Sequence, residues 1–188
     1  MTSIVVACLV GLAVVTLLAV WLVSVYNRLV RMRNQVDASG SQIDVQLKRR
    51  HDLIPNLVEA VKGYAAHERG TLEAVVIARG AAMAHSGGDA GQADAEGALS
   101  RALGRLIALG EAYPQLRANE NFAALQAELA TTEDKIAYSR QFVTYAVQQY
   151  NTAIESFPAN LIAGVFGFHR RELFAAVGSE RGPVEVSF

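Results

Sequence analysis

Four histidines are the side chains best suited to catalysis or metal binding, and their surroundings exclude the common forms of both. His67-Glu68 is followed by Thr71 where the HExxH pattern of zinc proteases needs a second histidine. No Glu-x-x-His pair indicates a di-iron bundle, and neither a Gly-x-Ser-x-Gly elbow nor a phosphate-binding loop is present. The single cysteine, Cys8, excludes a disulfide framework and a cysteine-based zinc site. We therefore expect no enzyme activity, no metal and no cofactor.

Polar side chains are concentrated between residues 44 and 59, which gives the sequence its main candidate site. The set comprises Asp44, Lys48, Arg49, Arg50, Asp52, Asn56 and Glu59. We expect Pro55 to place a turn between two helices here, and we interpret the set either as a partner-binding surface or as a buried polar network. The spacing of Asp44 and Lys48 predicts an ion pair on one helix face, worth about 0.3 kcal/mol.

The element that holds these residues at a membrane is an uncharged N-terminal segment. Residues 4–25 contain no charged side chain, and roughly 20 helical residues are enough to cross a bilayer core. Membrane lipid is therefore the expected surrounding of this segment. Side chains that favour the interface lie at or just beyond its C-terminal end: Trp21, Tyr26, Arg28, Arg31 and Arg33.

The positive charge around this segment predicts its orientation. Arginines follow the segment, whereas only the α-amino group precedes it, so we expect the N-terminus outside and residues 28–188 in the cytoplasm. The uncharged first residues and the long apolar run disfavour a cleaved signal peptide. The run that ends in Cys8 resembles a lipobox, but too few residues precede it for a signal helix, and we interpret Cys8 as an apolar residue that faces lipid.

The remainder of the chain has helical periodicity between its prolines. Apolar residues recur at steps of three and four, and strict alternation occurs only in the last few residues. We predict an all-α fold, with a transmembrane helix followed by an antiparallel bundle of four long helices. One helix is predicted to end near Leu53, and the next is predicted to run from Pro55 to about Ala84. Later helices cover residues 95–111 and 115–157, after a Gly-rich loop at residues 86–94. The expected domains are residues 1–27 (membrane helix and flank), 28–177 (cytoplasmic bundle) and 178–188 (flexible tail).

Two C-terminal segments leave alternatives open. Residues 159–174 contain a short apolar run followed by His169-Arg170-Arg171. This segment either docks on the bundle or lies in the membrane surface, and its shortness and lack of a charged face favour docking. Residues 184–188 alternate apolar and polar side chains, so this tail is either frayed or adds as a strand to a partner.

The polar motifs as a group resemble those of a known family. The matching stretches are Tyr26–Asn34, Ile43–Glu59, Lys62–Ala65, His67-Glu68, Tyr113-Pro114, Asn119–Phe122, Tyr150-Asn151 and Phe157-Pro158. Their order and spacing, from the apolar segment to about Phe174, are similar to those of the LemA family. The resemblance implies a bacterial protein with one N-terminal membrane helix and a cytoplasmic helical bundle, whose biochemical function is poorly defined.

From the residues and the resemblance together, we expect a non-enzymatic scaffold or adaptor at the bacterial inner membrane. The resemblance suggests a membrane zinc metalloprotease or an envelope protein as the partner. The alternative is a structural homo-oligomer that organises a membrane patch through its longest helix and its membrane span. A hydrolase is the least favoured hypothesis, and the net charge of −1 argues against a nucleic-acid partner.

Overall fold

Six helices make up the secondary structure of this computed structural model, which describes residues 1–65, 67–85 and 90–172. They are α1 (Thr2–Lys62), α2 (Arg69–Ala84), α3 (Ala90–Ala112), α4 (Pro114–Arg117), α5 (Glu120–Glu155) and α6 (Ala159–Val165). Within the described residues there is no strand. The predicted all-α fold is therefore confirmed, whereas the proposed strand at residues 184–188 and the tail at residues 178–188 lie outside the described residues.

The N-terminal part of α1 has the length and the exposure of a membrane segment. Every side chain in residues 1–24 is exposed, although nearly all of them are apolar. An 18-residue window of this helix has a mean hydropathy of 2.8, and none of that window is buried. The helix is thus long and apolar enough to cross a membrane, as residues 4–25 predict.

Helix α1 does not end near Leu53, so the prediction of two helices separated at Pro55 is wrong. The helix continues through Pro55 to Lys62, and Pro55 lies on its exposed face. The chain turns directly after Lys62 instead, where the N–H groups of Tyr64 and Ala65 both donate to the carbonyl of Val61. A proline inside a helix leaves the carbonyl four residues earlier without its helical donor. The donor that replaces it is described with the site below.

The described chain divides into two compact units, and the larger one is Gly40–Gln141. It contains the C-terminal part of α1, then α2, α3, α4 and the first part of α5, with short connections that make the long helices antiparallel. Their apolar faces form one core, which includes Ile54, Leu57, Val61, Leu72, Val75, Leu99, Leu103, Leu106, Leu116, Phe122 and Leu129. Burial of these side chains supplies the main stabilisation of the unit.

Helix α3 is longer than its sequence predicts. It begins at Ala90, so residues 91–94, which we expected in a Gly-rich loop, are helical. The other part of that predicted loop, residues 86–89, lies outside the described residues. Near the end of α3, a Cβ added at Gly110 would lie 2.5 Å from the ring of Phe122. The glycine therefore permits close packing of α5 against α3.

The helix predicted over residues 115–157 is divided near its start. Pro114 opens the short helix α4 at the first helical position, where a missing N–H has no intrahelical acceptor to lose. Asn119 then caps α5, since its Oδ1 accepts the N–H of Phe122 at 3.0 Å. The division follows from these two local signals, a proline and an asparagine cap five residues apart.

The smaller unit contains Met1–Ser39 together with residues 142–172. Its buried apolar side chains come from α1, α5, α6 and the segment after α6: Leu29, Val36, Val143, Val147, Tyr150, Ile154, Ile162 and Phe168. The side chain of Asn151 fixes the end of that segment. Its Nδ2 donates to the carbonyl of Arg171 at 2.8 Å, and its Oδ1 accepts the N–H of Arg171 at 2.9 Å.

Candidate functional site

The seven candidate residues of α1 lie on two different sides of the helix. Arg50 is only 1% exposed. The other six are exposed: Asp44, Lys48, Arg49, Asp52, Asn56 and Glu59. We call Arg49, Asp52, Asn56 and Glu59 the α1 polar face, because steps of three and four residues place them along one stripe. The two interpretations of the set, a surface and a buried network, thus apply to different members of it.

Arg50 lies at the centre of a group of polar side chains within the larger unit, of which Arg50, His51 and Glu96 are buried. Its Nη2 donates to Glu96, whose side chain is 2% exposed. Its Nη1 donates to Oε1 of Glu133 at 2.6 Å and to Oγ of Ser100 at 3.1 Å. We call Arg50, His51, Glu96, Ser100 and Glu133 the Arg50 cluster. It joins α1, α3 and α5 through charge-assisted hydrogen bonds, which are stronger than neutral ones.

His51 is the histidine of the cluster and is held neutral. Its Nε2 lies 2.9 Å from Oε1 of Glu96. Burial, and next the positive charge of Arg50, lower the pKa of His51 to about 4. At neutral pH the imidazole therefore donates its Nε2–H to the carboxylate. Glu96 in this way accepts from two residues of α1 at once, which satisfies a carboxylate that is buried from water.

Arg79 of α2 supplies the hydrogen bond that Pro55 removes from α1. Pro55 has no N–H, so the carbonyl of His51 lacks its usual donor one turn later. The Nε–H of Arg79 donates to this carbonyl at 2.7 Å. The bond explains how α1 passes through a proline without leaving an unsatisfied carbonyl, and it ties α2 to α1 at the level of the cluster.

The ion pairs on the exposed side of α1 differ from the predicted one. Lys48 Nζ lies 2.9 Å from Oδ2 of Asp52, one turn ahead, and is not paired with Asp44 as we predicted. This hydrogen bond from Lys48 lowers the pKa of the Asp52 carboxyl. Arg49 Nη2 lies 2.5 Å from Oε1 of Glu128 on α5, with both side chains about half exposed. Such exposed pairs contribute little to stability, because solvent screens their charges.

An open groove borders the α1 polar face. It has a volume of about 530 Å³ and lies between α1 and α5. Asn56 and Glu59 line it on the α1 side, and Asn121 and Glu128 line it on the α5 side. Ala60, Ala124 and Leu125 form the apolar remainder of the lining. The groove therefore offers carboxylates and amides around a small apolar floor.

Residues of several motifs that resemble the family meet at two connections of the larger unit. Tyr113 OH donates to Oε1 of Glu68 at 3.3 Å, and Asn119 Nδ2 donates to Tyr64 OH at 3.0 Å. These contacts join the turn after α1 to the turn between α3 and α5. The residues are far apart in sequence, and their role here is to hold two connections together.

The predicted interface residues all lie on α1, in the smaller unit. Tyr26 contacts two aromatic rings from the segment that follows α5, Phe166 and Phe168, with centroid distances of 5.1 Å and 5.6 Å. The guanidinium carbon of Arg33 lies 5.4 Å from the centroid of Phe168. Trp21 and Arg28 line a cavity of about 250 Å³ near Phe157. Arg31 is an exposed residue of the same helix.

Four members of the environment of Arg50 were not anticipated from the sequence. They are Arg79, Glu96, Ser100 and Glu133. One signal was available for Glu96, because it occupies the same helix face as the buried residues Leu99 and Leu103. A carboxylate in an apolar stripe needs a buried cation. The other three residues carry no comparable signal.

The chemistry available to the Arg50 cluster is structural. Its charges are paired with one another, and its histidine is neutral and bonded to a carboxylate. Among the described residues, no group of three or more His, Cys, Asp or Glu side chains is arranged to hold a metal ion. The exposed α1 polar face and its groove are therefore the candidate binding site, and the cluster supports the helix that carries them.

Comparison with known proteins shows relatives over most of the chain. A profile of the LemA family matches residues 39–188. The magnetosome protein MamQ 2 of Paramagnetospirillum magneticum is 29% identical over 188 residues, which cover 87% of this chain and 69% of that protein. The magnetosome protein MamQ of Magnetospirillum gryphiswaldense is 29% identical over 174 residues, covering 79% of this chain and 64% of that protein. Protein LemA of Metamycoplasma hominis is 23% identical over 161 residues, covering 86% of this chain and 74% of that protein.

Proposed function

This chain belongs to the LemA family, and we propose that it is a non-enzymatic, membrane-anchored adaptor whose helical domain binds other membrane or envelope proteins. Membrane association follows from the apolar part of α1, which is long enough to cross a bilayer. The proposed location is the bacterial inner membrane, with the N-terminus outside and the helical domain in the cytoplasm. The arginines that follow the apolar segment support this orientation.

The observation that carries the proposal is the exposed α1 polar face beside an open groove. Arg49, Asp52, Asn56 and Glu59 present charges of both signs and an amide to solvent. A partner that offers cations to Glu59 and Glu128, with a small apolar side chain for the groove floor, would be complementary to this surface. A membrane metalloprotease or an envelope protein remains the partner that the family resemblance suggests.

The Arg50 cluster supports the same proposal, because it holds α1 in place. It connects α1 to α3 with a buried ion pair to Glu96, and to α5 with an ion pair to the partly exposed Glu133. A surface held in one geometry loses less conformational entropy when a partner binds. The cluster therefore prepares the α1 polar face for binding, and this role needs no catalytic group.

The test is site-specific photocrosslinking of the full-length chain in its native membrane. A benzophenone side chain at Glu59 should capture a second protein, because this position lies in the groove. The same probe at Val76, an exposed apolar position of α2, serves as the control. Capture of a different membrane or envelope protein from position 59 alone supports the proposal. Crosslinks only between copies of this chain would favour the homo-oligomer, and equal capture from both positions would overturn the assignment of the surface.

A second experiment tests whether the partner recognises the charges of Arg49 and Glu128. Arg49→Glu should abolish capture and leave helicity unchanged, since this side chain is half exposed. The matched variant Arg49→Glu/Glu128→Arg restores an ion pair on the surface with its charges exchanged. If the partner reads these charges, capture stays lost in the double variant. Recovery of capture in the double variant would show that only the local ion pair matters, which contradicts a direct role of the two charges.

A further inference from the structure

Helix α6 exposes apolar side chains on its outer face. Phe157 just before the helix is 80% exposed, Leu161 is 65% exposed and Val165 is 81% exposed. The inner face of the same short helix is packed, with Ile162 and Ala163 buried. The segment is therefore apolar on both sides, although only one side has protein against it. Contiguous exposed apolar side chains in water are unusual and mark a surface that contacts something else.

The contacts of α6 place it beside the end of the predicted membrane span. Phe166, directly after α6, packs edge-on against Tyr26 of α1. Phe157, Pro158 and Ala159 line the same cavity as Trp21 and Val25. Tryptophan and tyrosine at the end of an apolar helix mark the membrane–water interface. Residues at the start of α6 and directly after its end thus lie beside the part of α1 that the sequence predicts at the membrane–water interface.

The chain turns back into the protein immediately after α6. Gly167 has φ +70, a left-handed conformation that favours glycine. The N–H of Phe168 then donates to the carbonyl of Ala163 at 2.9 Å, which closes the C-terminal turn of the helix. Phe168 is buried against Tyr26, and Arg33 lies over its ring. The exposed apolar stretch is therefore a short segment whose ends are held in place by the protein.

Basic side chains follow both the apolar segment of α1 and this stretch along the chain. Arg28, Arg31 and Arg33 follow the span on α1, and His169, Arg170 and Arg171 follow α6. Two of the latter have acidic neighbours, because Arg170 lies 3.7 Å from Glu155 and Arg171 lies 3.2 Å from Asp37. Arginines near the surface of an anionic bilayer each contribute about 1 kcal/mol of attraction. An apolar face bordered by cations fits a lipid surface better than it fits water.

From these observations we propose that α6 is a second membrane contact, which lies in the interface of the leaflet where the span ends. Phe157, Leu161 and Val165 enter the boundary between headgroups and acyl chains, and the inner face of α6 stays packed on α1 and α5. For the part of residues 159–174 that forms α6, the two interpretations, docking and membrane contact, then describe opposite faces of the helix. This inference goes beyond the adaptor proposal and depends only on the apolar part of α1 crossing the bilayer.

The test uses the full-length chain in nanodiscs that hold one copy each. Cys8→Ser removes the single cysteine, and a cysteine is then introduced by Leu161→Cys or Val165→Cys and labelled with the fluorophore NBD. The control is Tyr145→Cys, which is also exposed and apolar and belongs to the same unit. It lies ten residues before the end of α5, roughly 15 Å along the helix axis.

We expect a blue-shifted emission at positions 161 and 165 and a strong loss of emission with lipids that are spin-labelled near the headgroup. The probe at position 145 should emit as in water and be unaffected by these lipids. Equal, water-like emission at all three positions would overturn the proposal. Quenching that appears only when a disc holds two copies would also overturn it, since a second copy rather than lipid would then cover the face. Neither outcome bears on partner capture at Glu59.

Discussion

The Arg50 cluster and the outer face of α6 both depart from the rule that charged side chains are exposed and apolar side chains are buried. They depart from it in opposite directions. Arg50 and Glu96 are charged and almost fully buried, whereas Phe157 and Val165 are apolar and almost fully exposed. The buried charges find their partners within the chain, from three helices. Among the described residues of their own unit, no side chain covers these apolar side chains, and we propose lipid as their partner. The buried charges are thus stabilised by partners within the chain, whereas the exposed apolar side chains are proposed to be stabilised by the membrane.

The largest effect expected from this comparison follows the removal of Glu96. Glu96→Ala leaves a buried guanidinium with a partly exposed carboxylate alone, and it removes the acceptor of His51. We expect a loss of about 3–5 kcal/mol in the free energy of unfolding. Denaturant titration of the full-length chain, followed by far-UV circular dichroism, measures it.

The matched control for this variant is Glu133→Ala, whose side chain is 40% exposed. Arg50 keeps its buried partner Glu96 in that variant, so we expect a clearly smaller loss. If Glu96→Ala is no more destabilising than Glu133→Ala, the buried pair is not the main stabilising element of the cluster.

An intermediate effect is expected at the bond between Arg79 and the carbonyl of His51. Arg79→Met keeps an unbranched side chain as far as the position of Nε but removes the donor, and an unsatisfied carbonyl at this position costs about 1–3 kcal/mol. Pro55→Ala returns an N–H to α1 and so offers the carbonyl its ordinary helical partner. The cost of Arg79→Met should therefore be smaller in a Pro55→Ala background. Unfolding measurements on the two single variants and the double variant complete the cycle, and simple additivity would contradict the assignment.

The smallest effect is expected on the outer face of α6. Val165→Ser should change the free energy of unfolding by no more than about 0.5 kcal/mol, because the side chain is 81% exposed and has no protein core to leave. Ile162→Ser, on the buried face of the same helix, should be markedly more destabilising. Thermal unfolding of both variants in nanodiscs provides the measurement. A destabilisation at Val165 equal to that at Ile162 would contradict the assignment of Val165 to the outer face of α6.

Local sequence signals predicted the helices but not every boundary. The uncharged run at residues 4–25, the proline of Tyr113-Pro114 and the periodic spacing of α5 were sufficient for an all-α fold. The prediction of a helix end at Pro55 was wrong. A proline removes the hydrogen-bond donor of the carbonyl four residues earlier, but the helix can continue when another group donates to that carbonyl. That donor is Arg79, which lies 24 residues further along the chain. Nothing in the segment around Pro55 reveals it.

The candidate site was predictable only in part, for a similar reason. The sequence indicated which segment carries the important polar residues, and α1 does carry them. It did not separate Arg50 from Arg49, although one is buried and the other is half exposed. That separation depends on Glu96 and Glu133, which are 46 and 83 residues away from Arg50. Pairings at such sequence separations are set by tertiary packing and leave no local pattern.

The bond between Arg79 and the carbonyl of His51 also restricts the order in which this protein can change during evolution. While Pro55 is present, loss of the arginine leaves a carbonyl without a donor. If Pro55 is replaced first, the helix recovers its own bond, and the arginine is released from this constraint. One order of substitution therefore passes through a destabilised intermediate and the other does not. We therefore expect Pro55 and Arg79 to be lost together in evolution, with Pro55 replaced first.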